Sequence, residues 1–256
     1  ILVQLLTKTL AVKGHLWHNR IMNNRDYKKF APGTVMHIYN RGNNKEKIFF
    51  DEQDYRAFLF RLGLSLGFTD DDLNKESILS LPYSRIRITD VDRDDFILHS
   101  FCLMPNHFHL ILEQKKEIPV SKLISKICTS YAKYLNKKYQ RVGHVFQDQF
   151  KSVLIESNDQ LMWASAYVHM NPVKDRLVKH PSEYKWSSYK DFIGERNLII
   201  THTRFLKSIF GPENFEKETI VIGVKDALWH EFDMNKTKGA HNQYGTLHPP
   251  DTFEVG

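Results

Sequence analysis

The pattern of apolar and polar residues predicts four β-strands and three helices in the central part of the chain. Apolar runs and alternations typical of strands occupy residues 34–39, 96–104, 107–113 and 150–155. Apolar residues at helical spacing occupy 51–66, 121–139 and 158–171. Ser157 or Asn158 is available as N-cap of the last helix, and Pro172 stands beyond its expected end. The order strand, helix, strand, strand, helix, strand, helix predicts the α+β class. We expect a ferredoxin-like (β-α-β-β-α-β) antiparallel sheet with helices on one face, the other face free for ligands, and a C-terminal helical extension.

The strand at 107–113 presents two different faces. Side chains alternate along a strand, so Phe108, Leu110 and Leu112 share one side of it. The other side carries His107, His109, Ile111 and Glu113. The first face is expected in the core and the second is expected to carry chemistry. Glu113 could contact a metal or an activating water, although a solvated carboxylate at a sheet edge is the more common case.

Composition excludes several classes of protein. The 256 residues are 41% hydrophobic and 12% aromatic, enough for a sizeable core, which argues against disorder and collagen-like structure. Apolar runs stay far below the twenty or so residues of a membrane span, so a soluble protein without a membrane partner is expected. The only cysteines are Cys102 and Cys128, which excludes a disulfide scaffold and a four-cysteine zinc site. A reducing cytoplasm fits this cysteine usage.

Charge is unevenly distributed. The net charge of +6 and sequence pI of about 9.1 favour an anionic partner. Acids predominate in residues 70–95, which we interpret as an exposed insertion or hairpin, and bases predominate in 115–151. Contacts to nucleic acid are therefore predicted from Lys122, Lys126, Lys133, Lys137, Lys138, Arg141 and Lys151. The alternative for these lysines is an ordinary solvated helix face.

Two histidines have the spacing of a metal site. The period of two along a strand projects His107 and His109 to the same side, about 7 Å apart. Imidazoles bind divalent first-row metals well, and two of them leave positions for a third ligand and a substrate oxygen. For a bare His-x-His sequence, two half-exposed histidines on a sheet face are the more common explanation.

The last core helix offers partners for these histidines. Tyr167 and Asn171 stand at i and i+4, hence on one helix face, so a phenol and an amide oxygen could approach the same centre. Alternatively, Tyr167 is an amphipathic core residue and Asn171 caps the helix before Pro172. His169 projects elsewhere and is assigned no catalytic part.

Several motifs together resemble a known family. They are Asn40-Arg41-Gly42, Met104-Pro105-Asn106-His107-Phe108-His109-Leu110, Arg141-Val142-Gly143-His144-Val145-Phe146-Gln147 with Phe150-Lys151, Tyr167-Val168-His169-Met170-Asn171-Pro172-Val173-Lys174, and Trp186-Ser187-Ser188-Tyr189. In this order they resemble the single-tyrosine HUH transposases, including the REP-associated tyrosine transposases of bacteria. The chain then divides into an N-terminal extension (1–30), a catalytic domain (31–195) that carries the resemblance, and a C-terminal extension (196–256). The composition from about residue 239 onward, with two prolines and few aliphatic residues, predicts a flexible tail.

The resemblance implies a specific chemistry. His107, His109 and Asn171 would hold Mg²⁺ or Mn²⁺, and Tyr167 would be the nucleophile that cleaves single-stranded or hairpin DNA. The product would be a 5′-phosphotyrosine intermediate and a free 3′ hydroxyl, which allows strand transfer. The family resemblance further implies a cytoplasmic bacterial protein, nucleoid-associated when bound to DNA, acting as a monomer or a homodimer.

Two alternatives stay open. One is a non-catalytic nucleic-acid-binding protein, because RNA-recognition modules share this topology. The other is a metal-dependent hydrolase that uses the same ligands without covalent chemistry.

Overall fold

Four antiparallel strands form one sheet in the order β2-β3-β1-β4. A computed structural model describes residues 31–81, 92–211 and 214–223. The predicted extension 1–30, the predicted tail from about 239 and residues 82–91 of the acidic segment lie outside the described residues. The strands are β1 (Thr34–Arg41), β2 (Phe96–Met104), β3 (His107–Gln114) and β4 (Lys151–Ile155).

Six α-helices begin and end within the described residues, and the longer ones match the predicted segments. They are α1 (Glu52–Ser65), α2 (Asp70–Asn74), α3 (Val120–Lys138), α4 (Asn158–Lys174), α5 (Tyr189–Phe192) and α6 (Arg204–Phe210). Because α1 connects β1 to β2 and α3 connects β3 to β4, the predicted ferredoxin-like arrangement is confirmed. Helices α5 and α6 follow this core. Within the described ranges, no helix is long and apolar enough to cross a membrane.

The starts of helices α1 and α4 follow local sequence rules, but the end of α4 does not. Asp51 accepts a bond from the amide of Asp54 in a reciprocal capping box at the start of α1. The predicted N-cap Ser157 accepts a bond from the amide of Gln160 at the start of α4. The predicted end of α4 is wrong, because the helix passes through Pro172 and ends at Lys174. A proline in the last turn removes only one backbone hydrogen bond, so the helix can continue past it.

Helices α1 and α3 cover the apolar face of the sheet. The ring of Phe58 in α1 lies 4.9 Å from that of Phe108 in β3, and 5.2 Å from that of Tyr131 in α3. Phe108 and Tyr131 have no exposed surface. This is the main core, and it confirms that the Phe108 face of β3 is buried.

Helix α4 packs against part of the opposite face, so the expectation that this face is free of helices is wrong over its β2–β3 side. Its Ser165 hydroxyl lies 3.1 Å from that of Ser100 in β2. Helix α4 therefore reaches the histidine face of the sheet, over the β2–β3 side.

The register between strands determines which side chains share the histidine face. Directly paired residues of antiparallel strands project to the same side. Arg41 pairs with His107, and Tyr39 pairs with both His109 and Lys151. The residues Tyr39, Arg41 and Lys151 thus lie on the same face as the two histidines.

The acidic segment is only partly exposed. Asp70 and Asp71 in α2 are exposed, as the charge pattern predicts. The apolar side chains of the same segment, Leu73, Ile78, Leu79 and Leu81, are nevertheless buried in the core. The interpretation as an exposed insertion or hairpin therefore holds for the acidic side chains Asp70 and Asp71 but is wrong for the apolar side chains of residues 70–81, which are buried.

The turn after β1 depends on one glycine for space. Asn44 takes a left-handed conformation with φ of 50°, as its type allows. Gly42, in contrast, has φ of −60°. A Cβ atom at Gly42 would lie 2.2 Å from the carbonyl oxygen of Glu46, so glycine is needed here for close approach.

Candidate functional site

The two histidines of β3 meet the tyrosine of α4. His109 is 5% exposed, and its ring centroid lies 4.9 Å from that of His107 at an interplanar angle of 87°. The Tyr167 ring centroid lies 5.5 Å from that of His109, also edge to face. The structure thus brings His107 and His109 together with Tyr167, which follows them by about sixty residues in the sequence.

Both histidines have a hydrogen-bond partner at Nδ1. His107 Nδ1 lies 2.6 Å from Oδ1 of Asn106, and Asn106 is itself held by a bond from its Nδ2 to the carbonyl oxygen of Lys45. His109 Nδ1 lies 2.9 Å from Nε2 of His37 in β1. Nε2 of His109, by contrast, is buried and has no hydrogen-bond partner among the described residues. A buried ring nitrogen without a partner is suited to bind a cation.

Burial keeps these imidazoles neutral. It lowers the pKa of His37 to about 4. Burial, with a smaller effect from Arg41, also lowers the pKa of His107 to about 4. The pKa of His109 lies well below 6.5, because burial is joined by the neighbouring His37 and His107 and by the charges of Lys174 and Arg41. Neutral rings at ordinary pH leave nitrogen lone pairs available to a metal.

Asn171 lies one helical turn beyond Tyr167. Its Nδ2 donates to the carbonyl oxygen of Tyr167 over 2.7 Å, and the residue is 6% exposed. The alternative role of Asn171 as helix cap does not hold, because Asp175 takes the C-cap position. With Nδ2 committed, only Oδ1 of Asn171 can serve as a ligand.

The donor set for a metal is restricted. In the part of the chain that the structure describes, no three His, Cys, Asp or Glu side chains form a group that could hold a metal ion. A site at His107 and His109 therefore needs a third ligand of another type, such as the amide oxygen of Asn171.

Three cationic side chains lie close to the site. Lys174 Nζ lies 4.5 Å from the centroid of the Tyr167 ring. Arg41 and Lys151 are exposed on the histidine face. Of these three, only Lys151 is among the predicted DNA contacts.

The other predicted DNA contacts lie elsewhere. Helix α3 covers the Phe108 face, and the side of α3 that faces solvent carries Lys122, Lys126, Lys133 and Lys137. These lysines are thus on the opposite side of the sheet from the histidines. Their role in DNA binding stays a prediction.

Two further predicted contacts are engaged in ion pairs. Lys138 Nζ lies 2.8 Å from Asp54 Oδ1 and 2.7 Å from Asp51 Oδ2. Arg141 lies 2.9 Å from the carboxylate of Glu46. Both residues would have to leave these partners to contact a phosphate.

Glu113 and His169 have structural partners. Glu113 Oε2 lies 2.9 Å from His99 Nε2, and Oε1 accepts from Lys115 over 3.0 Å. The bond to His99 and the contact with Lys115 lower the pKa of Glu113. His169 Nε2 lies 2.8 Å from Ser188 Oγ. This bond ties α4 to the segment that runs along the edge of β2, where Leu103 N donates to Trp186 O over 2.9 Å.

Four residues beside the site had no role predicted from the sequence, although two of them stand in the family motifs: His37, Tyr39, Arg41 and Lys174. The first three occupy alternate positions of β1, which is a period-two pattern of polar and aromatic side chains. That pattern indicates that β1, like β3, presents polar side chains on the histidine face of the sheet.

Comparison with known proteins supports the resemblance. The sequence model of the family described as "Transposase IS200 like" matches residues 83–171, a segment that contains His107, His109, Tyr167 and Asn171. The fold is similar to that of a REP-associated tyrosine transposase solved bound to a REP hairpin. The two chains share 16% sequence identity with a TM-score of 0.46, and the match covers 66% of this chain and 83% of that one. No curated protein matches the chain. The family model thus supports the predicted resemblance over residues 83–171, which are similar to IS200-like transposases.

Proposed function

Because residues 83–171 are similar to IS200-like transposases, we propose that the chain cleaves and transfers single strands of DNA, in DNA transposition or in processing REP-type hairpins. The reaction would be metal-dependent and would pass through a 5′-phosphotyrosine intermediate. The observation that carries this proposal is the contact between the Tyr167 ring and the buried His109, whose Nε2 lacks a partner in the described structure.

Tyr167 is the proposed nucleophile. Its oxygen attacks phosphorus, the new bond joins tyrosine to the 5′ phosphate, and the bond to the 3′ oxygen breaks. The phenol loses its proton and the departing 3′ oxygen gains one, so the number of phosphoester bonds is unchanged. A second strand's 3′ hydroxyl can reverse the step. Lys174 places a positive charge beside the ring whose oxygen becomes more negative on the way to attack.

His107, His109 and Asn171 are the proposed metal ligands, for Mg²⁺ or Mn²⁺. The histidines fit this role because burial keeps them neutral and because each has its Nδ1 engaged, which leaves Nε2 for the ion. When bound, the ion would polarise a non-bridging phosphate oxygen and orient the phosphodiester. Two imidazoles and an amide oxygen suit Mn²⁺ better than Mg²⁺, which prefers oxygen ligands alone.

The DNA strand is proposed to cross the histidine face beside β1 and β4. Arg41 and Lys151 supply positive charge there, and Tyr39 supplies a partly exposed ring on which a base can stack. Contacts of this kind would hold the strand largely independently of its sequence.

The test is a covalent-adduct assay. The protein is incubated with end-labelled single-stranded hairpin DNA and Mn²⁺, and the products are separated on a denaturing gel. We expect a labelled protein–DNA adduct that disappears in Tyr167→Phe.

Tyr39 provides a matched control for the nucleophile. Its ring centroid lies 5.9 Å from that of His109, close to the 5.5 Å of Tyr167, so it is the other tyrosine of the described residues beside this histidine. The adduct should persist in Tyr39→Phe. His107→Ala should abolish cleavage and keep most of the DNA affinity.

Other outcomes would favour the alternatives. DNA binding without an adduct would indicate a non-catalytic binding protein. Cleavage that survives Tyr167→Phe would indicate a hydrolase that uses water, and normal cleavage by His107→Ala would refute the metal ligands.

A further inference from the structure

His37 and His109 contact each other through their ring nitrogens in the interior of the protein. His37 is 7% exposed, and its Nε2 lies 2.9 Å from Nδ1 of His109. The two rings are nearly parallel, with centroids 5.1 Å apart and an interplanar angle of 22°. Only one proton can lie between the two neighbouring nitrogens of two neutral imidazoles. Either His37 or His109 donates it, and each choice determines which nitrogen of His109 carries the proton.

The surroundings of His109 distinguish the two arrangements. If His37 donates, neutral His109 carries its own proton on Nε2, where the described structure offers no acceptor. A buried N–H at this position can be satisfied neither by the described protein groups nor by a cation. If His109 donates from Nδ1, its Nε2 instead presents a lone pair, which a cation can bind.

We infer that His37 is a positioning residue, which accepts the Nδ1 proton of His109 and so holds the Nε2 lone pair of His109 ready for a metal. The inference rests on the proposed metal site and extends it to a residue outside the His-x-His motif. Hydrogen bonds of this kind orient metal-binding histidines and raise their basicity.

The neighbouring histidine shows the same arrangement. His107 Nδ1 faces Oδ1 of Asn106 over 2.6 Å, and the bond from Asn106 Nδ2 to the Lys45 carbonyl fixes which end of the amide faces the ring. An amide oxygen can only accept, so His107 carries its proton on Nδ1. Both histidines then present Nε2, by means of two different acceptors.

Mn²⁺ affinity tests the inference without any measurement of DNA cleavage. The full chain is titrated with Mn²⁺ in the absence of DNA, and free ion is followed by electron paramagnetic resonance. His37→Phe keeps a ring of similar size and removes the acceptor, and it should lower the affinity about 10- to 100-fold. His37→Gln keeps an acceptor near the position of Nε2 and should restore most of the affinity.

His169 provides the matched control. It is also a fully buried histidine with one ring nitrogen bonded, but its partner is Ser188. His169→Phe should leave Mn²⁺ affinity unchanged. Unchanged affinity in His37→Phe, or equal losses in His37→Phe and His37→Gln, would overturn the inference.

A second measurement uses the unaltered protein and does not depend on how well a variant folds. With ¹⁵N-labelled histidine, the ring nitrogen shifts of metal-free protein report the tautomer, and the signals missing in His109→Ala identify His109. We expect the proton on Nδ1 of His109. A proton on Nε2 would overturn the inference.

The results also separate the inference from the proposed function. If the unaltered protein binds no Mn²⁺, the metal site and the role of His37 fall together. If it binds Mn²⁺ and forms the Tyr167 adduct while His37→Phe binds Mn²⁺ equally well, the proposed function stands and only the role of His37 is refuted.

Discussion

Lys138→Met tests whether this lysine stabilises the fold, as its contacts indicate, or binds DNA, as its charge alone predicts. The carboxylate of Asp54 has no exposed surface, and the side chain of Lys138 is 21% exposed. Their atoms lie 2.8 Å apart, and Lys138 also lies 2.7 Å from Asp51. Burial alone would lower the pKa of Lys138, but the hydrogen bonds that Lys138 donates to Asp51 and Asp54 outweigh burial and raise that pKa. The lysine therefore neutralises a buried negative charge.

The expected loss in the free energy of unfolding depends on the hydrogen bonds that Asp54 keeps in the variant. Removing one partner of a buried ion pair costs about 3–5 kcal/mol, because the other charge stays buried. Asp54 would still accept bonds from the Phe50 amide at 2.8 Å, Tyr134 at 2.9 Å and Tyr139 at 2.8 Å. We therefore expect the lower end, a loss of about 3 kcal/mol in the free energy of unfolding. In a chain of this size that lowers Tm by about 6–12 °C.

Urea denaturation followed by circular dichroism measures this loss. Lys133→Met, on the exposed side of the same helix, is the matched control and should change the free energy of unfolding by less than about 0.5 kcal/mol. If the two variants are equally stable, the reasoning about the buried charge is wrong. If Lys138→Met keeps full stability but loses DNA affinity, the lysine contacts phosphate after all.

Three further predictions concern the surface, the buried histidines and the turn after β1. Lys151→Glu should weaken single-stranded DNA binding, measured by fluorescence anisotropy at low salt, far more than Lys133→Glu, and equal losses would contradict the proposed path of the strand. Burial and, to a smaller extent, Arg196 lower the pKa of His169 to about 3, against 6.5 in an unfolded chain. Unfolded protein therefore takes up the proton first as the pH falls below 6.5. In the presence of a chelator, the free energy of unfolding should fall between pH 6.5 and pH 4. In His169→Phe the slope of this fall should be smaller by about 1.4 kcal/mol per pH unit, and an unchanged slope would refute the reasoning. Gly42→Ala should lower the free energy of unfolding by about 1–3 kcal/mol, because its Cβ would meet the Glu46 carbonyl; a neutral effect in urea denaturation would show that the turn adapts.

The fold was predictable because its determinants are local. The apolar run of β2 coincides with the observed strand Phe96–Met104, and the periodicity of α3 locates that helix to within one residue at each end. The end of α4 was not predictable in the same way. Pro172 normally stops a helix, and only the packing of α4 against the sheet shows that one missing bond is tolerated.

The candidate site was predictable only in part. His107, His109 and Tyr167 follow from spacing within one strand and one helix, and the structure brings them into contact. His37 lies 72 residues from His109, and their contact depends on the register between β1 and β3. The hydrophobic pattern of β1 determines which face His37 occupies, but a shift by two residues against β3 keeps that face, so the partner of His37 could not be read from β1 alone.

Unlike the contact of His37, the position of the α3 lysines relative to the site can be inferred from the sequence. In a βαβ-type sheet with both connecting helices on one side, those helices must cover the apolar face of the central strand, which is the Phe108 face. The polar side of α3 then faces solvent on that same side. Lysines such as Lys133 must therefore lie on the opposite side of the sheet from His109. Helical periodicity shows which side of a helix is exposed. Whether the charges on that side can reach the site depends on which face of the sheet the helix covers.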